Sequence, residues 1–138
     1  MKWKDEYATG VPRIDEQHKM LFVMIDDFAA AFSDGVGARV YGGLLDSLDL
    51  YVRTHFAFEE RCMTECKCPA AGRNAAAHAR FIEVVNDFTT RFKTFEYRSE
   101  DAAELMAIVD KWLTGHILGI DVQLRDYAVE RDGFTMLN

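Results

Sequence analysis

The chain has 138 residues, 49% of them hydrophobic and 28% charged, with a formal net charge of −7 at pH 7. That length supports one apolar core without disulfide staples, and no apolar run approaches the roughly 20 residues that a membrane-spanning helix needs. An acidic chain without a basic stripe is unsuited to nucleic acid, whose phosphates require clustered Lys and Arg.

Two prolines and nine glycines among many Ala, Leu, Phe and Met residues point to an all-α chain, with no Gly-rich phosphate loop, internal repeat or low-complexity tract. The opening MKWKDEY turns charged at once, without the apolar stretch of a signal peptide, so a cytoplasmic location is expected. Residues 1–14 are expected to form an extended arm, because Gly10-Val11-Pro12 discourages helix. Helical periodicity then runs from about Asp15 to Phe32, with Ile14, His18, Leu21, Ile25, Phe28 and Phe32 on one face; Ser33-Asp34-Gly35-Val36-Gly37 stops it. A second helix, from about Ala38 to Lys67, presents Leu48, Val52, His55, Glu59 and Met63, and Pro69 and Gly72 mark the next connection.

The third helix, from about Ala70 to Phe95, presents Asn74, His78, Phe81, Val85, Phe88 and Phe92. The fourth opens at Ser99-Glu100-Asp101, a capping residue followed by acidic first-turn residues, and presents Leu105, Val109, Trp112, His116 and Ile120. A short tail helix is expected over Val122 to Arg131. Short connections between long amphipathic helices favour an up-down-up-down antiparallel four-helix bundle. The expected organisation is one domain over residues 1–138: arm 1–14, bundle 15–120, tail 121–138.

All four histidines of the chain lie on these apolar stripes, and Glu59 follows His55 by one helical turn. A single buried imidazole is ordinary, but four with a carboxylate on the same faces call for a cation. Counting from the turns, His18 and His55 lie 17 and 20 residues from Gly35, and His78 and His116 each lie 19 from Tyr97. At about 1.5 Å of rise per residue, the four reach nearly one level of the bundle. Asp121, five residues after His116, is turned about 140° away in a regular helix, so joining the layer requires a break or a π-bulge near Gly119. Imidazole and carboxylate without thiolate suit iron, manganese or zinc, and a pair of carboxylates can bridge two ions. Histidine-rich ligation favours iron over magnesium or calcium.

Trp3, Gly10-Val11-x-x-Ile14-Asp15-x-Gln17-His18, Tyr51-x3-His55-Phe56-x2-Glu59-Glu60 with Met63 and Pro69, His78-x2-Phe81, and Trp112-Leu113-x2-His116-Ile117-x3-Asp121 resemble the hemerythrin family, specifically its single-domain bacterial members. The resemblance implies a non-haem di-iron centre that binds dioxygen reversibly. It places His18 and His55 on the iron with the open position, His78 and His116 on the other, and Glu59 and Asp121 as bridges. An apolar oxygen pocket is also implied, and Phe56, Trp112 and Ile117 are its candidate lining by their closeness to the ligands. An oxygen carrier has no catalytic residue, and its partner is dioxygen.

The family pattern in the third helix is His-x3-His-x2-Phe, whereas this chain reads Asn74-Ala75-Ala76-Ala77-His78-Ala79-Arg80-Phe81. The first histidine is replaced by Asn74, and no other histidine stands in for it. An Asn carbonyl oxygen is a weaker, neutral donor for a first-row metal. If Asn74 binds, the ligand set is filled; if it does not, one iron gains an open position or a single or different metal is held. The expected function is therefore a dioxygen carrier, with a di-iron peroxidase or oxygen-reducing enzyme, or an iron-holding or sensing protein, as alternatives. Cys62, Cys66 and Cys68 have no standard zinc spacing and are expected to be reduced thiols at a helix end, with a redox-sensitive or metal-exchanging cluster as the alternative.

Overall fold

The structure, a computed structural model, describes residues 2–128. Four long helices dominate it: α1 (Pro12–Ser33), α2 (Gly37–Glu65), α3 (Ala71–Phe95) and α4 (Ser99–Gly119), followed by the short α5 (Arg125–Ala128). No strand occurs among the described residues.

The arm is shorter and less extended than its sequence indicates. It contains a 3-10 turn over Asp5–Tyr7, and Pro12 begins α1 instead of delaying it. At the first helical position the missing N–H has no intrahelical acceptor to lose, and the fixed φ suits the helix. Thr9 holds this start in place: its main-chain N–H and its hydroxyl each donate to Asp15 Oδ1 at 2.8 Å, and the Val11 N–H donates to Thr9 Oγ1 at 3.2 Å. Of the expected tail helix, Asp121–Leu124 is a 3-10 turn and α5 continues to Ala128; residues 129–131 lie outside the described residues.

Side-chain contacts set the helix directions. The start of α1 meets the end of α2, with the His18 and His55 ring centroids 4.8 Å apart, and its end meets the start of α2, where Phe32 and Tyr41 are 6.2 Å apart. Between α2 and α3, Tyr41 meets Phe92 at 5.4 Å and Phe56 meets His78 at 3.7 Å. Between α3 and α4, Arg91 pairs with Glu104 at 3.0 Å and His78 meets His116 at 4.8 Å. Each neighbour therefore runs antiparallel, as an up-down-up-down four-helix bundle requires.

Apolar burial is divided in two. The larger cluster includes Leu21, Ile25, Leu48, Val52, Phe88 and Leu105, all on the turn side of the histidines; the smaller includes Val11, Ile14, Met63 and Leu124, on the far side. Each such side chain contributes about 1.5–3 kcal/mol on burial, so a polar layer can be held between two independently stabilised apolar regions. Cys62, Cys66 and Cys68 are all buried in the smaller cluster. Burial pushes the Cys62 thiol up to about 12, so it remains neutral and packs as a small apolar side chain.

Two backbone positions carry visible constraints. A Cβ at Gly37 would lie 2.5 Å from Tyr97 Oη and 2.7 Å from Phe32 Cδ1, so any larger residue there would have to displace one or both of these side chains. Glu96 ends α3 with φ 61° and ψ −155°, a conformation that favours glycine. Glu96→Gly should raise stability by about 1–2 kcal/mol, read as a higher urea midpoint with an unchanged slope; a lower midpoint would refute the strain. Gly37→Ala should lower stability by about 1–3 kcal/mol through overpacking, measured by the same titration.

Candidate metal centre

Every long helix delivers a polar side chain to one level between the two apolar clusters. His18 comes from α1, His55 and Glu59 from α2, Asn74 and His78 from α3, and His116 from α4. Asp121 completes the group from the 3-10 turn after α4. All seven are buried, from 0% exposure for Glu59 and Asn74 to 7% for His116. His55 and Glu59 converge because residues four apart share a helix face. Asp121 converges because the helix stops: Gly119 is the last residue of α4, and Ile120 leaves helical geometry at φ −123°, ψ −58°. The distortion is a break rather than a π-bulge.

The distances divide the carboxylates between two halves. Glu59 Oε2 lies 3.2 Å from His18 Nε2 and 3.3 Å from His55 Nε2, while Glu59 Oε1 lies 3.1 Å from His78 Nε2. Asp121 Oδ2 lies 3.3 Å from His18 Nε2, and Asp121 Oδ1 lies 3.0 Å from His116 Nε2. Two overlapping donor groups result, His18–His55–Glu59 and Glu59–His78–His116–Asp121, with the donor atoms of each within 4.8 Å of one another.

Three of the four carboxylate oxygens have no hydrogen-bond partner. Both Glu59 oxygens and Asp121 Oδ1 lack a donor, although all are buried. Converging lone pairs in a dry layer repel unless positive charge lies among them, and the desolvation of a buried carboxylate costs several kcal/mol on the order of magnitude seen in proteins. The same demand appears in the protonation equilibria. Burial alone would lower the His18 pKa, but Asp121 and Glu59 outweigh it and push it up to about 10. Burial would raise Glu59, yet the surrounding imidazoles hold it well below the usual carboxylate range. The residues thus fit metal cations, with imidazole nitrogens inward and each carboxylate offering one oxygen to either side.

Outer contacts orient the rings. His55 Nδ1 stands 2.6 Å from Gln17 Oε1, and the Gln17 carbonyl accepts the Tyr51 hydroxyl. His78 Nδ1 stands 3.0 Å from Glu60 Oε2. A proton donated outward from Nδ1 leaves the Nε2 lone pair facing inward. Gln17, Tyr51 and Glu60 belong to the motifs visible in the sequence, but their orienting roles depend on contacts that spacing does not reveal.

Asn74 enters the cluster itself. His116 Nε2 lies 2.8 Å from Asn74 Oδ1 and 3.1 Å from His78 Nε2, while Asn74 Nδ2 has no hydrogen-bond partner. Its carbonyl oxygen is therefore aimed at the His78–His116 half.

The three candidate pocket residues belong to the larger apolar cluster or pack against it, with the Phe56 and Trp112 ring centroids 5.8 Å apart. Phe56 stacks on His78 with centroids 3.7 Å apart, and Ile117 is fully buried in the larger cluster. Trp112 stacks between His116, at 4.4 Å, and Phe81, at 4.3 Å. It also borders a narrow apolar space with Leu21, Leu48, Val52, Phe81, Val109 and Leu113, one turn from His18 and His55.

Comparison with known proteins identifies the family of the chain. A family model described as "Hemerythrin HHE cation binding domain" matches residues 9–126. The chain is 32% identical over 124 residues to a bacteriohemerythrin of Stenotrophomonas maltophilia, covering 90% of this chain and 78% of that protein. It is 30% identical over 119 residues to a bacteriohemerythrin of Pseudomonas aeruginosa, covering 86% and 75%, and 29% identical over 123 residues to a hemerythrin of Siphonosoma cumanense, covering 89% of each. The matched span contains every residue of the donor layer, and on that span the chain belongs to the hemerythrin family.

Proposed function

We propose that the chain is a single-domain di-iron protein that binds dioxygen reversibly. His18 and His55 hold one iron, His78 and His116 the other, and Glu59 and Asp121 bridge them. Asn74 supplies its carbonyl oxygen to the second. The observation that carries this reading is the division of both carboxylates, with one oxygen of each turned towards either half.

Bound iron would supply the electrons that dioxygen accepts. The chain supplies selectivity and protection. The His18–His55 half has the fewer protein donors and lies beside the apolar side chains of Leu21, Leu48 and Val52, which pack too closely to leave room for water. Water exclusion there slows irreversible oxidation. Gln17 and Glu60 keep the imidazoles directed inward throughout.

Metal analysis of the purified protein should give two irons per chain, and the pale reduced protein should colour in air and bleach repeatedly on degassing. Oxidation in a single irreversible step would overturn reversible binding. Glu59→Gln should lower the iron content of both halves together, because both share this side chain; retention of two irons would remove its bridging role.

A second reading, a di-iron peroxidase, is favoured by Asn74 alone. A neutral amide is displaced more easily than an imidazole, which would give the His78–His116 half a labile position for peroxide. Asn74→His should then slow peroxide turnover with an added reductant by about tenfold, corresponding to ~1.4 kcal/mol of barrier. Equal rates in the two proteins would exclude this use of Asn74.

A further inference from the structure

A groove of about 460 Å³ runs along the face where α3 and α4 meet, floored by Ala77, Ile108, Trp112 and Ile120 and framed by Arg80 and Lys111. Its size falls within the range of about 300–1,000 Å³ typical of small-molecule sites. In a chain of net charge −7, its lining contains no acidic side chain. Arg80 and Lys111 are exposed and make no ion pair among the described residues, so none of the carboxylates among these neutralises either charge there.

The floor defines the body of the occupant. Phe81 and His116 already cover the two faces of the Trp112 ring, leaving its edge to the groove, so an aromatic ligand gains no stacking surface. A flexible aliphatic chain can follow that edge and the Ala77, Ile108 and Ile120 side chains. Gly115 leaves space along the same wall: a Cβ there would meet nothing within 4 Å.

We propose that this groove binds a medium-chain aliphatic carboxylate, with its head group between Arg80 and Lys111 and its chain along Trp112 towards Ile120. Its chain lies beside His116, which lines the groove and is the most exposed member of the donor layer at 7%. Occupancy would shield that imidazole from water and couple the carboxylate's concentration to the accessibility of the metal centre. The site is built from surface residues of α3 and α4 and does not depend on which reaction the centre supports.

Calorimetric titration of the purified protein with octanoate tests the proposal, with octanol as the uncharged probe of equal chain length. Octanoate should bind saturably at one site per chain, and octanol about tenfold more weakly. The Arg80→Ser/Lys111→Ser protein should lose about the same tenfold for octanoate. Gly115→Leu fills open space, so it should fold with unchanged helical circular dichroism and lose octanoate binding. Equal binding of octanol, no saturable binding of octanoate, or undiminished binding in folded Gly115→Leu would each overturn the proposal.

Discussion

Glu59 carries a charge at a position with no access to water, and the surrounding architecture answers that condition. Its oxygens receive no hydrogen bond, while imidazoles from α1, α2 and α3 approach them within 3.3 Å. A carboxylate so placed is stable only beside positive charge. Protons on His18 can meet part of the demand, as its raised pKa shows. Metal cations held among the same nitrogens and oxygens would meet it without forcing one imidazole to become a donor to several acceptors.

The bundle makes this condition tolerable by isolating it. Apolar side chains above the layer and below it form separate clusters, so neither core has to pack around an interrupted stripe. The antiparallel helices also give the donors independent supports. Displacing one helix changes one half of the centre before it changes the other, except at Glu59 and Asp121, where both halves meet. Asp121 reaches its place at the end of α4, where the chain leaves the helix at Ile120 and continues as a 3-10 turn.

Much of this arrangement is legible from spacing because the relevant quantities are helical. His18, His55, His78 and His116 share a level by their offsets from Gly35 and Tyr97, and the five-residue interval from His116 to Asp121 requires the observed break. Pro12 misleads because the same ring that disrupts a helix interior is well suited to its first position. The contacts of Gln17 with His55 and of Glu60 with His78 cross between helices, and a one-dimensional period has no information about such pairings. The contact between the Phe56 and Trp112 rings, which come from α2 and α4, crosses between helices in the same way.

Asn74 shows why identity and geometry must be separated. The substitution removes an imidazole from the family pattern, but it does not remove a donor atom from the cluster: Oδ1 reaches within 2.8 Å of His116 Nε2. Glu60 acts on the same half in the opposite sense, since a carboxylate accepting from His78 Nδ1 makes that imidazole a more basic ligand. His55 is oriented by the neutral amide of Gln17 instead. The two halves therefore differ both in donor type and in the charge behind their rings. A neutral amide oxygen and a more basic imidazole stand side by side around His116, so the donor strength of that half follows from both together rather than from the missing histidine alone.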